Sequence, residues 1–299
     1  MKNFILYYYN LEITDYISQD TYYYIETKTD IYYFCKVRKS EEELTKIYEE
    51  LSNTNYHLLI KNKYNRYLVE YNKESYCLLK VRCLLNDTIS FKEIKNNRPL
   101  IRERNTVDWS LIWQEKIDYL EEQADLFRVG KNSLIHSFIY FVGLGENAIS
   151  YLNYNNFKSY NLSVCHYRVY YPNKPVNYYN SLNTLIDYDI RDYAEYIKEV
   201  FYQNKDYDCL NLVREILLDK RYTRDDFGLF YARMLYPSYF FDCFSKYILE
   251  DKLKEEELMA ILERVDDYET FLKDTYYEIK KVYNIPEITW LLKKSNKSF

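Results

Sequence analysis

His166-Tyr167-Arg168-Val169-Tyr170-Tyr171-Pro172-Asn173 and, fourteen residues beyond Asn173, Leu185-Ile186-Asp187 form the stretch on which the reading of this chain turns. Pro175–Tyr179 and Thr184–Ile186 are expected to pair across Asn180-Ser181-Leu182-Asn183, a hairpin that brings Asn173 and Asp187 to one end. Two hard oxygen donors so placed suit Mg²⁺, which takes one or two protein groups and completes its shell with phosphates and water. Plainer readings stand beside this one. Asn173 is also a turn residue beside Pro172, and Asp187 a cap for the amphipathic helix marked by Ile190, Tyr193, Ala194, Ile197, Val200 and Phe201. Arg168 cannot accept a proton, because a guanidinium stays charged at any physiological pH. His166 reads as a residue that orders the loop, and Asp189 and Asp192 as substitute bases or as helix-start acids favoured by the macrodipole.

Upstream, residues 1–94 are strand-rich. Thr21–Ile25 and Ile31–Val37 are β-branched and aromatic runs separated by a polar turn at Thr27–Asp30. Ser40-Glu41-Glu42-Glu43 is a capping box, and Leu44, Ile47, Tyr48 and Leu51 give the helix it opens one buried face. Leu58–Lys61, Tyr67–Tyr71 and Ser75–Val81 are further strands, with Asn72-Lys73 as a tight turn. From Trp113, Ile117, Leu120, Ala124 and Phe127 onward the pattern is helical, broken by the strand Leu162–Val164 and the stretch above. Gly143 and Gly145 are expected to interrupt a helix or to let two helices cross closely, and Pro237 to break the apolar run Asp225–Glu250. His136, on an apolar face, reads as a core histidine.

Gly143-Leu144-Gly145-Glu146-Asn147-Ala148-Ile149, Cys165-His166-Tyr167-Arg168, Arg191-Asp192-Tyr193-Ala194-Glu195-Tyr196-Ile197 and Leu235-Tyr236-Pro237-Ser238-Tyr239-Phe240-Phe241-Asp242 carry a family likeness. From about residue 20 on, the chain resembles the bacterial spore-coat-associated kinase-like proteins (CotS/YutH type), distant relatives of aminoglycoside and choline phosphotransferases. The resemblance implies an α+β, two-lobed protein-kinase-like fold, with a strand-rich lobe at 1–94 and a mainly helical lobe at 95–299. It implies ATP and Mg²⁺ as cofactors, with Lys36 at the nucleotide phosphates and Glu43 or Glu49 as its helix partner. It makes His166 and residue 168 the His-x-Asp catalytic pair, and Asn173 and Asp187 the metal ligands.

Two departures matter. Arg168 stands where the family places the catalytic Asp, so the frame lacks its proton acceptor; an ion pair between Arg168 and Asp187 is expected to take the cation's place. No glycine precedes Gly130, so the place of a phosphate-covering loop, Thr14 to Asp20, offers none. The resemblance therefore implies a pseudokinase binding or assembly module, with other spore-coat proteins and a nucleotide as candidate partners. Two alternatives stay open: a working small-molecule phosphotransferase using Mg·ATP, and a structural tyrosine-rich coat protein that binds no nucleotide.

Composition narrows the field. A net charge of −5 and a pI near 5.5 argue against a nucleic-acid partner, which calls for a basic footprint. The longest apolar stretch, near Leu134 to Leu144, contains His136 and Ser137 and is too short to span a bilayer. The opening residues read as no secretory signal, so a cytoplasmic chain is expected, or by resemblance a spore-coat one. The 6 cysteines form no C-x-x-C pair and read as reduced thiols, and the 3 histidines lie too far apart for a zinc site. Tyrosine occurs 39 times against 4 glycines, which an AT-rich genome explains and which oxidative cross-linking of phenols also explains.

Overall fold

The structure, a computed structural model, describes residues 1–19, 22–82, 88–96, 100–101, 108–126, 132–159, 161–172, 175–249 and 254–293. In chain order the first elements are α1 (Lys2–Tyr9), β1 (Asp15–Ser18), β2 (Tyr22–Glu26), β3 (Ile31–Lys36), α2 (Glu41–Leu51), β4 (Leu58–Ile60), β5 (Leu68–Tyr71) and β6 (Glu74–Lys80). Then come α3 (Phe91–Asn96), β7 (Leu100–Ile101), α4 (Trp109–Leu126), α5 (Asn132–Asn155), β8 (Leu162–His166), α6 (Pro175–Tyr178), a 3₁₀ turn (Ser181–Asn183) and β9 (Thr184–Tyr188). The remainder is helical: α7 (Arg191–Gln203), α8 (Cys209–Leu217), α9 (Arg224–Leu235), α10 (Ser238–Leu249), α11 (Glu255–Leu262), α12 (Val265–Lys280) and α13 (Thr289–Lys293). Residues 1–90 and 172–185 pack as one compact unit, and 91–171 with 186–299 as a second.

The first unit is an antiparallel sheet in the order β1-β2-β3-β6-β4, with β5 also paired to β6. Alternation decides which side each residue serves. Tyr32, Phe34 and Leu78 face α1, whose Ile5 and Tyr9 are buried against them. Cys35, Cys77 and Leu79 face the other way, toward Leu44 of α2. The Ser40 capping box forms as expected: Ser40 Oγ accepts from Glu43 N at 3.2 Å, and Glu43 Oε2 from Ser40 N at 2.7 Å. Asn72 and Lys73 take the left-handed φ values of 52° and 66° that a two-residue hairpin turn demands. Tyr48 departs from the expected buried face: it stays exposed and rests against the Tyr67 ring at 5.5 Å.

Pro175–Tyr179 does not form the expected hairpin strand. Proline donates nothing to a ladder but suits the first position of a helix, and α6 begins there. The Asn180 side chain then caps the 3₁₀ turn, accepting from Leu182 N at 3.0 Å. Within its unit this returning segment packs on the α2 side of the sheet. Leu182 joins Cys35, Leu44 and Leu59, while Tyr179 O accepts from His57 N at 2.8 Å.

In the second unit α7 is buried along most of its length and packs with α9. Helix α5 runs uninterrupted through Gly143 and Gly145. A Cβ at Gly145 would sit 2.8 Å from Ile117 Cδ1, so this glycine permits the close crossing of α4. Pro237 separates α9 from α10, as its missing N–H requires. His136 is exposed rather than in the core. Phe127 lies outside the described residues. Among the described residues no helix is long and apolar enough to cross a membrane.

Candidate functional site

Strand β8 and the loop after it deliver His166 and Arg168, and the end of β9 delivers Asp187, all within the second unit. His166 is buried and held by Asp192 of α7: its Nδ1 lies 2.6 Å from Asp192 Oδ2, and its backbone N donates to Asp192 Oδ1 at 3.1 Å. Asp192 thereby orders the loop from its base and is committed to that task.

Arg168 does not meet Asp187. Its Nε and Nη2 grip Asp242 of α10 with two bonds of 2.7 Å, and Nη1 donates to Tyr167 O at 2.8 Å. A planar guanidinium matches a carboxylate in this two-bond way, which explains the preference for Asp242. Burial raises the Asp242 pKa, and Arg168 opposes that rise.

The expected partner, Asp187, is fully buried and already saturated. Trp109 Nε1 reaches Oδ1 and Oδ2 at 3.0 and 3.1 Å, Tyr188 N donates to Oδ1 at 2.7 Å, and Arg191 Nη1 donates to Oδ2 at 2.5 Å. Burial works against the Arg191 charge, yet Asp187 outweighs it and raises the Arg191 pKa further. A Mg²⁺ ion needs carboxylate lone pairs open toward a phosphate. In this arrangement Asp187 does not offer them. Asn173 lies outside the described residues.

Between the two centres runs a chain of buried charge. Arg233 lies 4.6 Å from the Trp109 ring and binds Glu195 through Nε at 2.6 Å. Lys198 Nζ donates to Arg233 O, Tyr236 O, Ser238 Oγ and Glu195 Oε1. Burial pulls the Lys198 pKa down to about 8 despite Glu195. Burial raises Glu195 in turn, but Lys198, Arg233 and Arg191 overcome it and hold that carboxyl well below its usual range. Glu199, on the same helix, has only Lys246 and a backbone hydrogen bond from Tyr171 to favour its charge. Burial first and Glu195 second push its pKa up to about 8. Tyr167, Arg168, Val169, Glu195, Lys198, Glu199, Tyr239 and Asp242 line a small cleft here.

Lys36 and Glu43 are not brought together. Lys36 lies two residues after Phe34 on β3 and so shares its α1 side of the sheet, away from α2, and binds Glu74 at 2.8 Å. Glu43 is occupied with the cap of its own helix. Arg191, at the start of α7, stands four residues after Asp187 at the end of β9, so the turn between the two elements brings this pair together locally. Trp109 is 78 residues from Asp187, and Asp242 is 74 from Arg168, so neither pairing carried a local signal.

A family profile described as spore coat putative kinase YutH matches residues 2–275. The endospore coat-associated protein YutH of Bacillus subtilis is 25% identical over 215 residues, which cover 63% of this chain and 62% of that protein, less than two thirds of its length. Among solved structures, an aminoglycoside phosphotransferase from Alicyclobacillus acidocaldarius superposes with a TM-score of 0.64 at 8% identity, covering 90% of this chain and 93% of that one. Spectinomycin phosphotransferase APH(9)-Ia, solved with ADP and spectinomycin, gives a TM-score of 0.55 at 10% identity and coverages of 92% and 96%. Amicoumacin kinase hAmiN, solved with AMP-PNP, Ca²⁺ and Ami, gives 0.52 at 11% identity and coverages of 97% and 95%. At such identities these likenesses show the fold alone, and it is the kinase-like α+β fold expected from the sequence.

Proposed function

The chain belongs to the spore coat putative kinase YutH family, and from that premise we propose that it is a pseudokinase: a kinase-derived module that binds other coat proteins and transfers no phosphate. One observation carries the reading. Both positions that would do the chemistry are engaged by other side chains, residue 168 as an arginine held by Asp242 and Asp187 by Arg191 and Trp109. Proton acceptance at 168 is closed to a guanidinium. Metal binding at Asp187 would require Arg191 and Trp109 to let go, leaving a guanidinium and an indole N–H without their acceptor in a buried place. A kinase fold stripped of these two functions retains its surfaces, and a binding role needs nothing else from it. In this reading the chain is made in the cytoplasm and comes to rest among coat proteins.

The test is a thermal-shift and phosphoryl-transfer assay on the native full chain with Mg·ATP. Binding without turnover, or neither, agrees with a module, and silence in both further favours a purely structural coat role. Metal-dependent turnover that disappears in a folded Asp187→Asn variant overturns the proposal. That result would assign Asp187, with Asn173, to Mg²⁺ in a small-molecule phosphotransferase.

A further inference from the structure

The loop after β4 is built to hold one side chain still. Asn62, 6% exposed, accepts from Tyr64 N at 2.8 Å and Arg66 N at 3.2 Å through Oδ1, and its Nδ2 donates to Leu68 O at 3.0 Å. Asn65 takes a φ of 61° to close the turn, and Lys63 N donates to Tyr8 O at 2.8 Å, tying the loop to α1. The result is an exposed phenol pair. Tyr64 and Tyr7 of α1 are 57% and 56% exposed, with their hydroxyl oxygens 3.0 Å apart. The Lys63 ammonium lies over the Tyr7 ring and 5.0 Å from the centre of the Tyr64 ring. Hydrogen bonding from Lys63, and then from Tyr64, lowers the Tyr7 pKa from the ordinary phenol range. Both rings rest against Tyr8, with centroids 5.0 and 6.1 Å away, and each residue keeps more than half of its surface open to a dissolved oxidant.

We propose that Tyr7 and Tyr64 are a site of oxidative coupling, joined carbon to carbon into a dityrosine that ties α1 to the loop after β4. Each phenol gives up one electron and its hydroxyl proton. The two rings then join through one bond between ortho carbons, and the displaced ortho hydrogens move to the oxygens, restoring both aromatic rings. The oxidant is a peroxide consumed by a peroxidase: hydrogen peroxide takes up the two electrons and two protons and leaves as two waters. Lys63 positions and polarises the pair by favouring the phenolate, the more readily oxidised form. This inference does not depend on the pseudokinase reading, since no nucleotide, metal or second-unit residue enters it.

The experiment treats the native full chain with hydrogen peroxide and horseradish peroxidase and maps peptides by mass spectrometry. The expected product is a monomer carrying one Tyr7–Tyr64 cross-link, two hydrogens lighter, with dityrosine fluorescence. In Tyr64→Phe and in Tyr7→Phe that product is lost, whereas Tyr154→Phe, at an 88% exposed tyrosine, leaves it unchanged. Lys63→Gln slows its formation. Because the link closes a loop between residues 57 apart, the oxidised monomer unfolds at a higher temperature than the untreated one. Dityrosine spread over other exposed tyrosines, cross-links only between chains, or a yield unchanged in Tyr64→Phe would overturn the proposal.

Discussion

Asp187–Arg191 and Asp242–Arg168 are the same chemical pair in two settings. The first is sealed, with side-chain exposures of 0% and 10%; the second opens to solvent, at 24% and 49%. Burial changes what the pair does. At Asp187 neither charge has water to fall back on, so each is obligatory for the other, and Trp109 completes the shell. At Asp242 water screens the half-exposed Arg168 guanidinium, so the pair contributes less to stability while setting the shape and charge of a cleft rim. An arginine paired with an aspartate can therefore be an obligatory structural partner in one place and a surface feature in another.

The largest expected effect tests the sealed pair. Arg191→Ala leaves a buried uncompensated carboxylate and lowers unfolding stability by ~3–5 kcal/mol in urea titration, whereas Arg191→Met combined with Asp187→Asn recovers most of that loss. Recovery absent in the double variant would mean that packing, not charge, makes the centre. Next comes the cleft acid. Glu199 binds its proton with a pKa of about 8, above the carboxylate value of 4.5, so its stabilisation is complete below about pH 4.5 and is lost as pH rises through 8. Lys198, pulled down to about 8, works above that window: its unfavourable contribution is full below about 8 and fades as pH climbs toward 10.5. Glu199→Gln should flatten the fall in stability between pH 5 and 8, a fall of at most ~4 kcal/mol; a slope unchanged in this variant assigns it to other groups.

Smaller still, Trp109→Phe removes a hydrogen bond to a charged acceptor and should cost ~1.5–3 kcal/mol by the same titration. Arg168→Ala, at the open pair, should cost ~0.2–1 kcal/mol, and less in high salt. If Arg168→Ala proves as damaging as Arg191→Ala, the contrast between the two settings collapses.

Local chemistry was legible at several places where partners lie close in sequence. The capping box at Ser40, the turn at Asn72-Lys73 and the break at Pro237 each depend on a few neighbouring residues, and each forms as read. The hairpin at 175–179 did not, because two prolines and a capping Asn180 favour a short helix and a 3₁₀ turn over a ladder. Lys36 was visible as a strand lysine, but its side of the sheet depends on register with β6, which pairs it with Tyr76 from forty residues away.

By itself the sequence determined the kinase-like α+β frame and the presence of a permanent cation at residue 168. The charge on Arg168 is a property of the residue type and needs no fold to establish it. Only the tertiary structure decided where that cation goes, that Asp187 is paired with Arg191 and hydrogen-bonded by Trp109, and that Tyr7 and Tyr64 meet under one lysine. Those outcomes turn on burial and on contacts between residues far apart in the chain, and a side chain's choice among several opposite charges is settled by which one the packing brings within reach.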